Sequence, residues 1–410
     1  MNKPVIREFL CRGFAGTAVF TLGLVGASAQ PAPAPEAAPA PEAPAEAPAA
    51  APTLSAPSMT APLTLNPNPV KFDAGPLGTV YASGVLTGIG FIQSNPIVGD
   101  RQGYFDITNG QAIVQTTEGL VQFFAEGGIY SFPALGTPYL RATRTNSAFF
   151  GPLPVGYLKL APSDTFSIQG GKLPTLIGAE YAFTFQNINI ERGLLWNQEP
   201  IISQGVQVNY TLGPLALSGS FNDGFYSDRF NWLVGAATYT IDSSQTVELV
   251  GGGNVGTSST ATLATPLPQN NGQIANLIYT FNAAPWTVTG YMQYSHVPKV
   301  VKLGLGQDVS SAGGAVLASY AFDDNFSLGG RAEVLGTTGE LIKGAPNLLY
   351  GPGSAAFSFT VTPTWQWGRF FVRGEGALVV ADGTTAGFVF GHSGNAETQG
   401  RFLLETGFIF

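Results

Sequence analysis

From about Leu77 to the end of the chain, apolar and polar residues alternate with a period of two. The clearest stretch runs from Ala356 to Trp367. Phe357, Phe359, Val361, Pro363, Trp365 and Trp367 share one parity there, and Ala356, Ser358, Thr360, Thr362, Thr364 and Gln366 the other. The same pattern sets Val206, Val208, Tyr210 and Leu212 against Gln207, Asn209 and Thr211, and Trp286, Val288, Met292 and Tyr294 against Thr287, Thr289, Gln293 and Ser295. Successive side chains of a strand point to opposite faces, so each stretch predicts a strand of about ten residues with one greasy and one polar face. A soluble β-sandwich alternates in the same way. The aromatics separate the two readings, because they gather at strand ends: Trp365 and Trp367 beside one turn, Phe281 and Trp286 around another, Phe322 and Phe326 around a third. Such girdles are expected where a transmembrane barrel meets the two membrane interfaces.

Short and long connections alternate between these strands. Tight ones fall at Thr117 to Gly119, Ser163-Asp164, Gly213-Pro214, Asp242 to Gln245, Ala283 to Pro285, Asp323 to Asn325 and Gly368-Arg369. Longer ones, many rich in Gly, Ser and Asn, cover 93–103, 131–154, 172–200, 222–230, 253–272, 296–311, 336–354 and 381–399. Short periplasmic turns and long external loops are the rule for outer-membrane barrels. Three strands precede Ser131, two flank Ser163 and eleven lie between Ile201 and Phe410, sixteen in all. An even number brings both ends of the barrel to the periplasmic side. The expected fold is therefore all-β, a transmembrane antiparallel up-and-down β-barrel over residues 77–410.

Composition agrees. Only 11% of the 410 residues are charged, against roughly a quarter in a typical soluble protein, as a barrel whose lipid-facing half excludes charge requires. One Cys and two His leave little for a disulfide scaffold, a zinc module or a haem, and no cofactor or metal is expected. A net charge of −8, from 18 basic and 26 acidic residues, argues against a nucleic-acid partner.

Two segments precede the barrel. Lys3, Arg7 and Arg12 introduce an apolar stretch from Phe14 to Val25, followed by Ala27-Ser28-Ala29, the pattern of a secretory signal peptide over 1–29. The stretch is short for a membrane anchor, and Cys11 lies at its start, where a lipoprotein would carry its Cys beside the cleavage point. Residues 30–76 form a Pro/Ala-rich linker with 12 Pro between Pro31 and Pro69. Dense Pro fixes φ and removes backbone donors, so this segment reads as an extended, disordered periplasmic spacer, long enough to touch a cell-wall layer.

The chain ends RFLLETGFIF, which places Phe402, Leu404, Phe408 and Phe410 on one face. This resembles the C-terminal targeting strand that the barrel-assembly machinery reads in Gram-negative outer-membrane proteins. A more specific resemblance lies in mid-chain. The run YLKLAPSDTFSIQGGKLPTLIGAEYAFTFQNINIERGLLWNQEPIISQGVQVNYTL, followed by LALSGSFNDGF, is similar to the OmpL-like β-barrel porin-2 family. The matching features are GGKLPTLIGAE after a strand-turn-strand, RGLLW before a Glu-Pro pair, the strand SQGVQVNYT, and Asn-Asp-Gly after the next strand. The resemblance implies an outer-membrane channel and supplies no defined solute.

If the greasy face meets lipid, the opposite parity meets the lumen. Glu126, Lys159, Lys172, Glu248, Arg331, Glu333, Arg373, Glu375, Arg401 and Glu405 are then expected to line a pore, since Arg or Lys on the lipid face costs ~2–4 kcal/mol near the midplane. The pairs Arg331/Glu333 and Arg373/Glu375 serve equally as wall-bracing salt bridges. The segment 172–200, with Glu180, Glu191, Arg192 and Glu199, is long enough to fold inward and narrow the pore. An external loop is its alternative. Catalytic chemistry finds no home: Gly251, Gly253 and Gly256 satisfy G-x-G-x-x-G without a following helix, and His296 and His392 lack a nucleophile in a convincing setting. The sequence thus points to a non-enzymatic, porin-like channel for small hydrophilic solutes or ions. A structural or adhesive barrel plugged by its own loops is the second reading, and a secreted β-sandwich the third.

Overall fold

The computed structural model describes residues 62–64, 66 and 68–410. The signal peptide expected at 1–29 and most of the linker expected at 30–76 lie outside the described residues.

A short strand β1 (Val70–Asp73) precedes the barrel. The barrel runs through β2 (Thr79–Gln93), β3 (Gly103–Gln115), β4 (Val121–Tyr130), β5 (Val155–Ser163), β6 (Phe166–Pro174), β7 (Ile202–Leu212), β8 (Leu215–Asn222) and β9 (Trp232–Thr240). It continues through β10 (Gln245–Asn254), β11 (Gln273–Ala283), β12 (Trp286–Val297), β13 (Val309–Ala321), β14 (Phe326–Thr337), β15 (Ala355–Trp367), β16 (Phe370–Asp382) and β17 (Thr398–Ile409). Each strand pairs antiparallel with its neighbours in sequence, and β17 closes on β2, with Arg401 opposite Gln93 and Ile409 opposite Val85. The barrel has the sixteen strands that the alternation predicts, joined by tight turns at one end and long loops at the other. Closure matters energetically, because an open sheet edge would leave N–H and C=O groups unpaired in hydrocarbon.

The linker does not extend to residue 76 as expected. Val70–Asp73 pairs with the start of β2, Val70 opposite Ala82 and Asp73 opposite Thr79. The Asp73 carboxylate accepts the Gly75 N–H at 2.8 Å and fixes the turn between them. Further back, Leu63 is only 3% exposed and shares an apolar cluster with Val85, Phe371 and Ile409 at the tight-turn end. The Thr64 backbone exchanges two hydrogen bonds with the Gln366 side chain, at 3.0 and 3.1 Å.

The two faces separate by parity. On β15, Ser358, Thr360, Thr362 and Thr364 are buried on the inner face, while Phe359, Trp365 and Trp367 are exposed on the outer one. Aromatic rings pack against one another around the outside of the tight-turn end: Trp286 edge to face on Tyr320 at 4.7 Å, Tyr320 likewise on Phe322 at 4.8 Å, and Phe370 tilted on Phe408 at 5.2 Å. Their amphipathic bodies suit an interface. One irregularity shapes the lumen. The register of β2 and β3 shifts at Thr87/Gly88, which leaves Thr108 unpaired opposite them. A bulge of this kind re-aims side chains, and here both Thr108 and Asn109 are buried inside the barrel.

A segment inside the barrel

Residues 175–201, between β6 and β7, fold into the lumen. Two 3-10 turns, Thr184–Gln186 and Leu195–Gln198, shape the segment, and Gln186 Oε1 accepts the Phe183 N–H at 3.0 Å to brace the first. Ile188, Leu194 and Leu195 are buried in one apolar cluster with Tyr291, Leu317 and Leu335 from the wall. Apolar packing alone would leave the backbone of an irregular segment unsatisfied at membrane depth, where each unpaired group is costly. Charged side chains of the wall meet that need.

The carboxylates accept from the segment's N–H groups. Glu375 takes the N–H of Ile190 at 2.5 Å and of Glu191 at 3.0 Å. Glu333 takes the N–H of Leu194 at 2.7 Å, and Glu405 accepts the Thr184 hydroxyl at 2.5 Å. The guanidinium groups donate to its carbonyls: Arg331 to Glu191 O at 2.6 Å, and Arg373 to Asn187 O and Thr184 O at 2.9 Å each. Ion pairs join the same groups, Arg331 with Glu180 at 2.6 Å, Arg373 with Glu405 at 2.5 Å and Arg401 with Glu191 at 2.5 Å. Neutral groups finish the fastening. Asn189 Nδ2 donates to Thr362 Oγ1 at 2.7 Å, Asn109 Nδ2 to Thr184 Oγ1 at 2.7 Å, and Gln293 Nε2 to Leu195 O at 2.9 Å.

Arg331, Glu333, Arg373, Glu375, Arg401 and Glu405 are all on the inner face and all buried. Each of them grips the segment through at least one hydrogen bond or ion pair, and wall residues such as Ser358, Thr360 and Thr362 brace them from behind. The two strand pairs divide. Arg331 stays 3.4 Å from Glu333, whereas Arg373 turns to Glu405, its direct cross-strand partner in the register. Glu126 is buried on the inner face of β4 with Gln111 donating to it at 3.2 Å. Lys159 and Glu248 are half-buried on inner parities nearer the tight turns, and Thr238 donates to Glu248 at 3.2 Å.

Lys172 departs from the expectation. Leu173 and Ser167 on the same strand are buried inside, so Lys172 falls on the outer parity with Ile168. Its ammonium reaches back to the Phe150 and Leu153 carbonyls at 2.9 and 3.0 Å and sits over the Tyr226 ring at 5.4 Å. Gly170 and Gly171 precede it and carry no side chain to mark the faces. Gly171 is also required sterically: at φ +142 it runs against the Gly156 carbonyl, where a Cβ has no room.

Within the segment, Glu180 and Glu191 serve the ion pairs above. Arg192 is completely buried, its guanidinium over the Trp196 ring at 5.3 Å and the Phe132 ring at 6.0 Å, with Nε and Nη2 unpartnered. Burial pushes it down to about 10, against the upward pull of Glu180 and other carboxylates. Glu199 is 4% exposed and neither carboxylate oxygen has a partner. Burial, reinforced by the charges of Glu180 and Glu333, holds its carboxyl well above the usual carboxylate range. Phe402, Leu404, Phe408 and Phe410 project from the outer face of the last strand and its terminal residue, each about half exposed. Sequence reasoning missed Asn109, Thr362 and Gln293, whose inward parity is visible but whose partners lie on other elements, and Thr184, which sits in a 3-10 turn and has no strand parity.

A closed sixteen-stranded antiparallel barrel with a long connection folded into its lumen is the architecture of an outer-membrane porin. Residues 79–410 match the family described as "Putative beta-barrel porin-2, OmpL-like", and the chain belongs to that family. No curated protein matches it in sequence. In fold it is similar to OmpT, an outer membrane protein of Vibrio cholerae, with TM-score 0.54 and 13% identity over 82% of this chain and 98% of that one. It is also similar to an anion-selective porin from Comamonas acidovorans, with TM-score 0.54 and 12% identity over 81% and 99% of the two chains. The outer membrane channel DcaP of Acinetobacter baumannii gives TM-score 0.52 and 11% identity over 81% and 97%.

Proposed function

We propose that the protein sits in the outer membrane of a Gram-negative bacterium as a non-enzymatic channel, through which small hydrophilic solutes or ions pass by diffusion along a lumen narrowed by residues 175–201. The observation that carries this reading is the one-sidedness of the segment. Its hydrogen bonds run to β3, β12, β14, β15, β16 and β17, while on the opposite arc the inward Lys159, Asn209, Thr238 and Glu248 remain half exposed. Those four side chains, rather than the buried Arg and Glu residues of the far wall, are the pore-lining set. Surface lipid meets the outer aromatic girdle, and the terminal strand with Phe402, Leu404, Phe408 and Phe410 presents the signal for the barrel-assembly machinery. The cell-wall layer is the partner proposed for the Pro/Ala-rich linker.

The complete burial of Leu194 and Leu195 favours a second reading, a barrel plugged by its own segment. Planar-bilayer recording of the purified, refolded protein separates the two. Step-like openings support diffusion; their absence in protein with heat-shifted gel mobility establishes the plug. Reversal potential in a salt gradient reads ion preference.

A further inference from the structure

At the long-loop end, above the inward segment, lies a cavity of about 420 Å³. Its walls come from five separate connections, and five aromatic rings stand among its apolar lining: Phe132, Phe149 and Phe150 from residues 131–154, Trp196 from the inward segment and Phe225 from residues 223–231. Rings from three connections pack against one another there, Phe132 on Trp196 at 6.2 Å and Phe150 on Tyr226 at 5.0 Å, and Trp232 supports Phe225 at 5.5 Å.

Two polar walls are unlike the rest. Glu199 lines the cavity, nine-tenths buried, with both carboxylate oxygens unpartnered. Gln269 lines it too, and its Oε1 is likewise without a donor while its Nε2 is turned to Gln198 at 3.4 Å. Both residues therefore offer acceptor oxygens without a donor. An anion would leave that set unmet and a neutral sugar would bring donors without charge, whereas an ammonium group brings up to three donors and a charge. Aromatic faces attract a cation through their quadrupoles and accept an apolar body by area burial. The carboxylate is held in place by close packing: an added Cβ at Gly178, itself at φ +91, would land on the Glu199 carboxyl group.

We propose that this cavity is a binding subsite for an organic cation, an apolar or aromatic body carrying an ammonium head, with Glu199 and Gln269 receiving the head and Phe149, Phe150 and Trp196 the body. At about 30 Å³ for each water-sized unit, the volume admits a body of roughly ten to fourteen non-hydrogen atoms. The site deepens the channel reading, and its bearing on transport rests on that reading; binding itself does not.

The test is calorimetry on the detergent-solubilised full chain with three near-isosteric probes, 3-phenylpropylammonium, 3-phenylpropanol and 3-phenylpropanoate. The ammonium is expected to bind about tenfold or more tightly than the alcohol, with the carboxylate weakest, as a charge-assisted hydrogen bond requires. Glu199→Gln should bring the ammonium down to the alcohol's affinity. Equal binding of the three probes, no binding of any, or a preference for ammonium that survives Glu199→Gln would overturn the proposal. The wild-type series stands even where the variant fails to fold. Bilayer recordings on the same preparation keep the two claims apart: openings without ammonium binding sink the subsite alone, and ammonium binding without openings sinks the diffusion reading alone.

Discussion

Arg401 of β17 meets Glu191 of the inward segment at 2.5 Å, joining residues 210 positions apart with both side chains almost completely buried. The same guanidinium donates to the Ala134 and Thr137 carbonyls at 2.9 Å each, so one side chain ties the segment and the 131–154 connection to the wall. Removing one partner of such a pair strands the other, at about 3–5 kcal/mol. Arg401→Gln is expected to leave the barrel closed, since the β16–β17 and β17–β2 ladders do not use this side chain, and to free the segment. Larger single-channel conductance with faster protease cleavage within 175–201 would be the signature. Unchanged conductance and cleavage would show that the apolar cluster around Leu194 and Leu195 holds the segment without the ion pair.

The sidedness of the strands makes a sharper prediction, because only the outward parity meets lipid. Phe359 faces outward and is half exposed, while Thr360 beside it is fully buried inward. Phe359→Arg puts a cation on the lipid face at a cost of ~2–4 kcal/mol near the midplane. The same exchange at Leu404, also outward, should cost a similar amount. Denaturant titration of the barrel in lipid vesicles measures both, and a change under ~1 kcal/mol at each would place the lipid boundary elsewhere.

Strands and turns were legible in the sequence because their signals are local. Alternation fixes the faces within ten residues, and short Gly-, Pro- and Asp-containing turns fix the ends. The register was not legible, and register decides partners. Arg373 and Glu375 stand two apart on one strand and invited a brace between them, but Arg373 lies opposite Glu405 on β17 and pairs with it there. Glu375 is left to accept two backbone N–H groups of the segment. Lys172 was misplaced because Gly170 and Gly171 interrupt the pattern with no side chains to read. The inward charges were found by parity, yet their role as a clamp depends on where residues 175–201 settle, which no periodicity in that segment encodes.

The mouth at the tight-turn end supplies a third prediction. Leu63 is buried with Val85, Phe371 and Ile409, and Thr64 is fastened to Gln366. A carboxylate cannot be buried there without losing its hydration. Leu63→Asp is therefore expected to release residues 62–68 from the barrel while β1 stays paired with β2. A spin label at Asn68 should become mobile in the variant and remain restricted in the wild type; equal mobility in both would mean that Leu63 does not anchor this stretch.

Protonation of Glu199 gives the last. Burial keeps its carboxyl well above the usual range, and the groups facing it, Glu180 and Glu333, add repulsion, with the Tyr291 phenol also near. A carboxyl whose folded-state pKa is raised favours the folded arrangement below its ordinary pKa, and that contribution is lost as pH rises through the raised value. An ammonium head pairs with the ionised carboxylate, so it must drive off whatever proton the raised carboxyl still carries. Binding of 3-phenylpropylammonium should therefore release protons, and the release should fade as the pH is raised and the carboxyl ionises unaided. Calorimetry in buffers of different ionisation heat measures the proton count directly. Binding enthalpies that do not depend on the buffer at any pH above the ordinary carboxylate range would show Glu199 to be ionised already, and would remove desolvation as the force that sets its charge.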